Sequence, residues 1–220
     1  MLVFEELGIA YQPIYKSGST FIIDIIRENI KLPYGKKHKK NSPTYLNRIQ
    51  LSQKFEINNK ILDDKLFVFS FIRDPWKRFV SSYLQYLKWT KDTAVLNHQL
   101  ANWVKKEGLY KHVMKQVSFN DFANFVFNES GHVNNHWRSQ VKLLKFDLYN
   151  YDLIDDIEKC QKSFKIIEMN SNFKYKGLDY NKNNTKKKYN YKKYYKNFKF
   201  KDEFLEYYKE DIALFKRINE

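Results

Sequence analysis

The sequence predicts an α/β fold whose central sheet is mainly parallel. Residues 8–15 form a short apolar run, and a turn of small residues separates them from a segment of helical spacing at 21–30. Residues 66–72, LFVFSFI, are continuously apolar, as expected for a central strand covered on both faces. An apolar run followed by a helical pattern recurs at 148–164, and alternating elements of this kind favour a parallel sheet.

The first two helices have clear local signals. In the segment 21–30, apolar side chains recur on one helix face, at positions 21, 22, 25, 26 and 30. Pro75 follows the apolar run and fits the first turn of a new helix, where its missing N–H is not needed. That helix is expected to bury a stripe formed by Phe79, Val80, Tyr83, Leu84 and Leu87.

The rest of the chain shows weaker patterns. A helix start is expected at 118–121 and a loop at 131–135. The other expectations, in chain order, are a helix at 44–55, a largely helical region at 92–127, a strand or turn at 137–144, a strand at 164–169 and a basic loop at 171–188. A final helix is expected at 202–216, and its pattern places five apolar or aromatic residues on one face: Phe204, Leu205, Tyr208, Ile212 and Phe215. Because no repeat or boundary is evident, the 220 residues predict a single domain over 1–220.

The composition excludes several classes of protein. Aromatic residues make up 18% of the chain, too many for a disordered basic tail. The single cysteine, Cys160, excludes a disulfide scaffold and a cysteine-based zinc site. No apolar run approaches about 18 residues, so no transmembrane helix is expected. The N-terminus has acidic residues where a secretory signal has basic ones.

The positive charge is concentrated towards the C-terminus. The chain has 40 Lys and Arg against 25 Asp and Glu, a net charge of +15. The segment 173–200 holds ten lysines, one acidic residue and six tyrosines, and so carries +9 of that total. Such a segment is either a solvated surface or a binding site for an anionic partner, including single-stranded nucleic acid. No RNA- or DNA-binding signature accompanies it, which makes nucleic acid the weaker alternative.

Two predicted strand-to-helix turns carry candidate anion-binding residues. In a parallel sheet both turns lie at the carboxyl ends of strands, where α/β folds bind ligands. The second turn has Arg73 at a strand end and Ser81 two turns into the next helix, which could clamp one phosphate from two sides. The first turn offers a cation, a glycine and three hydroxyls before a helix N-terminus: Lys16, Ser17, Gly18, Ser19 and Thr20. The two turns together predict a ligand with two phosphate groups.

The first turn differs from a Walker A loop. That motif places its lysine after the second glycine, whereas Lys16 precedes Gly18. No acidic residue clearly suited to Mg²⁺ follows an apolar strand. A P-loop nucleotide kinase or NTPase is therefore an alternative that the motifs do not favour.

These motifs resemble those of sulfotransferases that use 3′-phosphoadenylyl sulfate (PAPS), and most closely the Golgi-type carbohydrate sulfotransferases and their microbial and viral relatives. PIYKSGST at 13–20 resembles the 5′-phosphosulfate loop, although Pro13 lies three residues before the lysine instead of beside it. RDPWKRFVSSY at 73–83 matches every fixed position of the motif R-x-P-x-x-R-x-x-S-x-Y. The resemblance spans about residues 9–216, with further segments in the expected order at 136–140, 151–158, 184–195 and 207–215.

The resemblance implies a P-loop-like three-layer sandwich and an enzyme that moves a sulfuryl group from PAPS to a hydroxyl acceptor, a glycan or glycolipid. It assigns Lys16 to the leaving oxygen of the donor and the loop 16–20 to the 5′-phosphosulfate. It assigns Arg73 and Ser81 to the 3′-phosphate. Arg78 either supports that phosphate indirectly or pairs with a surface acid. Catalysis of this kind relies on positioning and charge stabilisation.

The attacking hydroxyl needs a general base, and histidine suits that role near neutral pH. His136 is the first candidate, because it falls in the family-like segment 136–140. His38 is the second, because related glycosaminoglycan sulfotransferases carry their base between the two phosphate motifs. No metal is expected: His132 and His136 have a helical zinc-ligand spacing, but they lie in an expected loop without a third ligand.

The resemblance also bears on the basic segment 173–200 and on location. The segment is expected to contact the phosphates of the donor or to attract an acidic polysaccharide. Animal members of the family are held in the Golgi by a membrane anchor and often carry several cysteines. This chain shows neither feature, so we expect a soluble cytoplasmic enzyme.

Overall fold

The computed structural model describes residues 1–30, 66–90, 118–128, 134–177 and 190–220. The expected helix at 44–55, His38 and most of the region 92–127 lie outside these residues. The chain divides into two compact units, the first formed by Met1–Ile72 and Leu144–Lys186 and the second by Arg73–Leu143 and Lys187–Glu220. The single sulfotransferase domain over 1–220 stays a prediction.

The first unit contains a four-stranded sheet in the order β1-β2-β3-β4. The strands are β1 (Leu2–Phe4), β2 (Ile9–Gln12), β3 (Phe67–Ile72) and β4 (Leu153–Asp156). β3 is parallel to both β2 and β4, with Phe69 opposite Tyr11 on one side and Leu153 on the other, whereas β1 is antiparallel to β2. The expected α/β fold with a mainly parallel sheet is confirmed, and β1 is a strand that the sequence analysis did not predict.

The helices of the described ranges follow the sheet strands and then dominate the C-terminal part. In chain order they are α1 (Ser19–Asn29), α2 (Pro75–Thr90), α3 (Phe119–Asn128), α4 (Gln140–Leu144), α5 (Cys160–Met169), α6 (Lys192–Tyr195), α7 (Lys201–Tyr207) and α8 (Lys209–Arg217). Short 3₁₀ turns at Glu5–Leu7 and Ile157–Lys159 precede β2 and α5. The segment 137–144 was expected to be a strand or turn. Residues 137–139 lie in a turn, but Gln140–Leu144 form α4, so the prediction is wrong for most of the segment.

The core of the first unit lies between the sheet and the helices α1 and α5. Ile22 and Ile26 of α1 are fully buried, as are Phe71 of β3 and Phe164 of α5, whose rings lie 5.6 Å apart. The expected strand at 164–169 is wrong. Its residues continue α5, because the buried positions Cys160, Ser163, Phe164 and Ile167 recur at helical spacing.

The second unit is built around aromatic side chains from α2, α3 and the C-terminal helices. Phe79 of α2 lies 5.1 Å from Phe122 of α3 and 5.5 Å from Phe204 of α7, ring centre to ring centre. The predicted start of α3 is confirmed: Ser118 and Asp121 bond reciprocally to each other's N–H groups, at 3.1 and 2.8 Å. Such a capping box satisfies N–H groups that the helix itself leaves unpaired.

The final helix is interrupted where the sequence pattern predicts continuity. α7 and α8 are separated at Tyr208, whose backbone departs from helical geometry (φ −106°, ψ 17°). Phe204 and Tyr208 are buried as expected, but Leu205 is 38% exposed, and the buried face continues instead through Asp211 and Leu214. The prediction of Leu205 on the buried face was therefore wrong. A buried acid at position 211 was not expected.

Candidate active site

The loop that joins β2 to α1 contains two residues with left-handed backbone. The chain leaves the sheet at Pro13, fully buried Ile14 anchors it, and the Ser17 N–H donates to the Ile14 carbonyl at 3.2 Å. Lys16 has φ +67° and Gly18 has φ +72°. Glycine adopts this conformation freely, whereas a lysine does so at a cost of about 1–2 kcal/mol. Strain held in a non-glycine residue is characteristic of functional loops.

The same loop ends at the N-terminus of α1. Gly18 is the N-cap, so no side chain caps the helix, and its first turn holds no acidic residue. A helix N-terminus directs N–H groups outwards and carries a partial positive charge, which favours a bound anion. Lys16 is half-buried and Thr20 is exposed, whereas the hydroxyls of Ser17 and Ser19 belong to buried residues. The backbone and Lys16 are therefore suited to an anion, whereas Ser17 offers no exposed surface to a ligand.

Arg73 follows β3 directly, and a side-chain amide holds its main chain. Gln140 Oε1 accepts from the Arg73 N–H at 3.0 Å, and Gln140 Nε2 donates to the Arg73 carbonyl at 2.9 Å. Asp74 caps α2, because its Oδ1 accepts from the N–H groups of Trp76 (2.8 Å) and Lys77 (3.3 Å). These contacts fix the point from which the half-buried Arg73 side chain extends.

The two adjacent serines of α2 have different surroundings. Ser81, the predicted phosphate ligand, is half-buried. Ser82 is fully buried, and its Oγ donates to the His136 carbonyl at 2.6 Å. Ser82 was not among the predicted site residues, although it lies four residues after Arg78 on the buried face of α2.

Arg78 is a buried support for the chain around His136. It is 1% exposed, and its guanidinium donates to two carbonyls, those of Asn135 (3.2 Å) and Arg138 (2.9 Å). Burial lowers the pKa of Arg78, whereas Tyr208 and Asp211 act in the opposite direction. Arg78 is therefore not a surface residue, and its guanidinium holds the main chain of the neighbouring segment.

Asp211 of α8 completes that support. Its fully buried carboxylate accepts from Ser139 Oγ (2.6 Å) and the Val141 N–H (3.0 Å) through Oδ1, and from the Gln140 N–H (2.8 Å) through Oδ2. The hydroxyl of Tyr208 also donates to the carbonyl of the buried Trp137. Side chains from α2 and α8, together with Tyr208, thus determine the path of residues 134–141, which we call the clamped segment.

His136, the first candidate base, lies in the clamped segment and is half-buried. Its N–H donates to Asn134 Oδ1 at 2.9 Å, and its ring Nδ1 lies 3.0 Å from the same oxygen. Its carbonyl accepts from Ser82. Asn134 and Ser82 therefore position the backbone of His136, and Asn134 also positions its ring.

A groove of about 750 Å³ opens beside the start of α2 in the second unit. It combines four aromatic side chains with four lysines, and its lining comprises Trp76, Asn190, Tyr191, Lys192, Lys193, Tyr195, Lys196, Phe198 and Lys201. The Tyr195 hydroxyl donates to the Trp76 carbonyl at 2.9 Å, and the two rings meet edge to face at 4.8 Å. Part of the basic segment predicted at 173–200 therefore forms the wall of a groove suited to an anion with an apolar ring face.

The predicted site residues are distributed over both units. The loop 16–20 lies in the first unit, whereas Arg73, Ser81 and His136 lie in the second. Within the second unit, α2 brings its motif to the clamped segment through Ser82. The second candidate base, His38, lies outside the described residues.

The described residues also bear on the predictions about a metal site and a membrane segment. No cluster of three or more His, Cys, Asp or Glu side chains in this part of the chain has the arrangement of a metal site. In the same ranges, every helix is too short or too polar to cross a membrane.

Residues 1–216 match the model of a family described as the sulfotransferase family. The match covers nearly the whole chain and includes both phosphate motifs. The chain therefore belongs to the sulfotransferase family, and the resemblance found in the sequence is confirmed. Comparisons with curated proteins and with solved structures yielded no match.

Proposed function

We propose that this protein transfers a sulfuryl group from PAPS to a hydroxyl group of a carbohydrate, either a glycan or a glycolipid. Membership of the sulfotransferase family supports the reaction class. The pairing of two phosphate motifs carries the choice of donor, because PAPS has a 5′-phosphosulfate for the loop 16–20 and a 3′-phosphate for Arg73 and Ser81. The proposal includes a P-loop-like three-layer sandwich. Two features support it: the parallel strands β2 to β4, and the loop 16–20 before α1, which we call the glycine loop.

In the proposed reaction, residues of the chain stabilise the developing negative charge and accept one proton. Lys16 and the N-terminus of α1 stabilise the negative charge that grows on the bridging oxygen of the donor. His136 takes the proton of the acceptor hydroxyl, whose oxygen forms a bond to sulfur while the bond from sulfur to the bridging oxygen breaks. Adenosine 3′,5′-bisphosphate leaves with that electron pair. Arg73 and Ser81 set the register of the donor through its 3′-phosphate.

The aromatic and basic groove supports the proposal that the second unit binds an anionic ligand. Lys192 and Lys196 are exposed at its wall, and the Nζ atom of Lys77 lies 5.8 Å from the centre of the Tyr191 ring. Sugar rings and nucleobases both pack on aromatic faces, and the lysines attract phosphate, carboxylate or sulfate groups. The groove therefore suits either the donor or an acidic acceptor, the two roles that the sequence indicates for the basic segment.

Calorimetric titration of two nucleotides into the Arg73→Ala variant tests the assignment of the 3′-phosphate. We expect adenosine 3′,5′-bisphosphate to bind about 10–150-fold more weakly than to the unaltered protein, since a charge-assisted hydrogen bond contributes about 1.5–3 kcal/mol. Adenosine 5′-monophosphate lacks the 3′-phosphate, so its affinity should not change.

The exposed Arg138 of the same unit provides a matched control, and Arg138→Ala should bind both nucleotides like the unaltered protein. Unchanged binding of the bisphosphate to Arg73→Ala would contradict the proposal. An equal loss for both nucleotides would show that Arg73 does not contact the 3′-phosphate. Transfer of label from radiolabelled PAPS to sugars, glycolipids and phenols then identifies the acceptor class.

A further inference from the structure

One oxygen atom of Asn134 meets two nitrogen atoms of His136. The His136 main-chain N–H donates to Asn134 Oδ1 at 2.9 Å, and the ring Nδ1 lies 3.0 Å from that same oxygen. The neighbouring backbone is also fixed, because the Asn134 carbonyl accepts from the N–H groups of Trp137 (3.2 Å) and Arg138 (2.9 Å). The contact is thus part of an ordered turn.

The main-chain contact determines which way the Asn134 amide faces. A backbone N–H is always a donor, so its partner at 2.9 Å must be an acceptor. If the amide were rotated by 180°, its NH₂ group would face that N–H, and two donors would meet. Oδ1 is therefore the atom that faces His136.

The orientation of the amide in turn determines the protonation of the ring. A carbonyl oxygen can only accept, so a nitrogen 3.0 Å away must carry a hydrogen to form a bond with it. A neutral imidazole has one protonated nitrogen. In neutral His136 the hydrogen is therefore on Nδ1, and Nε2 has the lone pair.

We infer that Asn134 is a positioning residue that holds neutral His136 in the Nδ1–H tautomer, so that Nε2 is the atom that takes the proton of the acceptor hydroxyl. The catalytic half of this inference rests on the proposed function, whereas the tautomer itself does not. In metal sites and catalytic triads, too, the partner of one ring nitrogen determines the role of the other. Here the partner is a neutral amide two residues earlier in the chain.

The tautomer can be measured by ¹⁵N NMR on protein labelled at histidine, at a pH where the rings are neutral. The His136→Gln variant identifies which of the five imidazole spectra belongs to His136. We expect Nδ1 to resonate as a protonated nitrogen and Nε2 as an unprotonated one. The opposite pattern in the unaltered protein would overturn the inference, whatever the protein catalyses.

Substitutions at position 134 separate tautomer control from a purely structural role. Asn134→Ala removes the acceptor, so the Nε2–H form should gain population and kcat should fall about tenfold or more, with KM for PAPS unchanged. Asn134→Asp keeps an oxygen acceptor and should retain the Nδ1–H signature and most of kcat. Asn135→Ala alters an exposed neighbour and is the matched control for both readouts.

The outcomes distinguish this inference from the proposed function. If Asn134→Asp loses the Nδ1–H signature, or Asn134→Ala keeps it together with full kcat, Asn134 does not set the tautomer. If Asn134→Ala does not fold, the unaltered protein and Asn134→Asp decide the question. Full transfer by His136→Gln would remove His136 from the reaction and overturn the catalytic half, while the NMR assignment would stand.

Discussion

The glycine loop of the first unit and the clamped segment of the second are positioned by different means. In the loop, the backbone itself is unusual: Lys16 and Gly18 both have positive φ, and the first turn of α1 follows at once. In the clamped segment, buried side chains from α2 and α8 determine an otherwise irregular path through hydrogen bonds to the main chain. One site is built by local conformation and the other by long-range contacts.

This difference changes the interpretation of the second motif. The fixed positions of R-x-P-x-x-R-x-x-S-x-Y are all present, but they do not share one role. Arg78 and Tyr83 are buried, whereas Arg73 and Ser81 are half-buried and remain candidates for the 3′-phosphate. A motif that matches at every position therefore combines scaffold residues with candidate ligand residues.

The largest effect that we expect on stability is at Asp211. Asp211→Ala leaves three donors of the clamped segment without their acceptor and removes a negative charge near Arg78. We expect a loss of about 3–5 kcal/mol in the free energy of unfolding, measured by urea denaturation. The adjacent Glu210 is exposed, so Glu210→Ala should change stability by less than about 0.5 kcal/mol. Equal effects of the two substitutions would show that the segment is not held by buried contacts.

A smaller change in the free energy of unfolding, of opposite sign, is expected in the glycine loop. Lys16→Gly relieves the left-handed strain that Lys16→Ala retains, so the glycine variant should be about 0.5–1 kcal/mol more stable than the alanine variant. Both variants should lose sulfuryl transfer, because both lack the ammonium group. Urea denaturation and the radiolabel assay measure the two properties. A glycine variant no more stable than the alanine variant would contradict the strain at position 16.

A third effect on stability depends on pH and concerns a scaffold residue of the second motif. Burial, with smaller contributions from Tyr194 and Asp121, raises the pKa of Tyr83 to about 12. The unfolded chain has the ordinary tyrosine pKa of about 10. The contribution of Tyr83 to stability is therefore complete below pH 10 and is lost as the pH rises towards 12.

The unfolding free energy at pH 8 and pH 11 tests this assignment. Tyr83→Phe cannot ionise, so its stability should fall less between the two pH values than that of the unaltered protein. An identical fall in both proteins would mean that Tyr83 ionises without affecting the fold. Tyr207, whose pKa burial also raises to about 12, should retain its own share of the alkaline loss.

Local patterns predicted the elements whose cause is local. The apolar run at 66–72 identified β3, Pro75 identified the start of α2, and the Ser118 and Asp121 pair identified the start of α3. The error at residues 164–169 has another origin. A short apolar stretch fits a strand or a helix equally well, and the choice between them depends on which neighbours cover it.

The sequence by itself determined the family, the parallel α/β class and the two motifs for which we propose phosphate binding, because residue order, spacing and backbone preference are enough for these. Tertiary structure alone decided that Arg78 is buried, that Ser82 rather than Ser81 bonds to the clamped segment, and that Asp211 supports residues 139–141. Such roles depend on which hydrogen-bond donors and acceptors are brought together away from water. These partners lie 54–72 positions apart in the chain, so no local sequence pattern predicts their contacts.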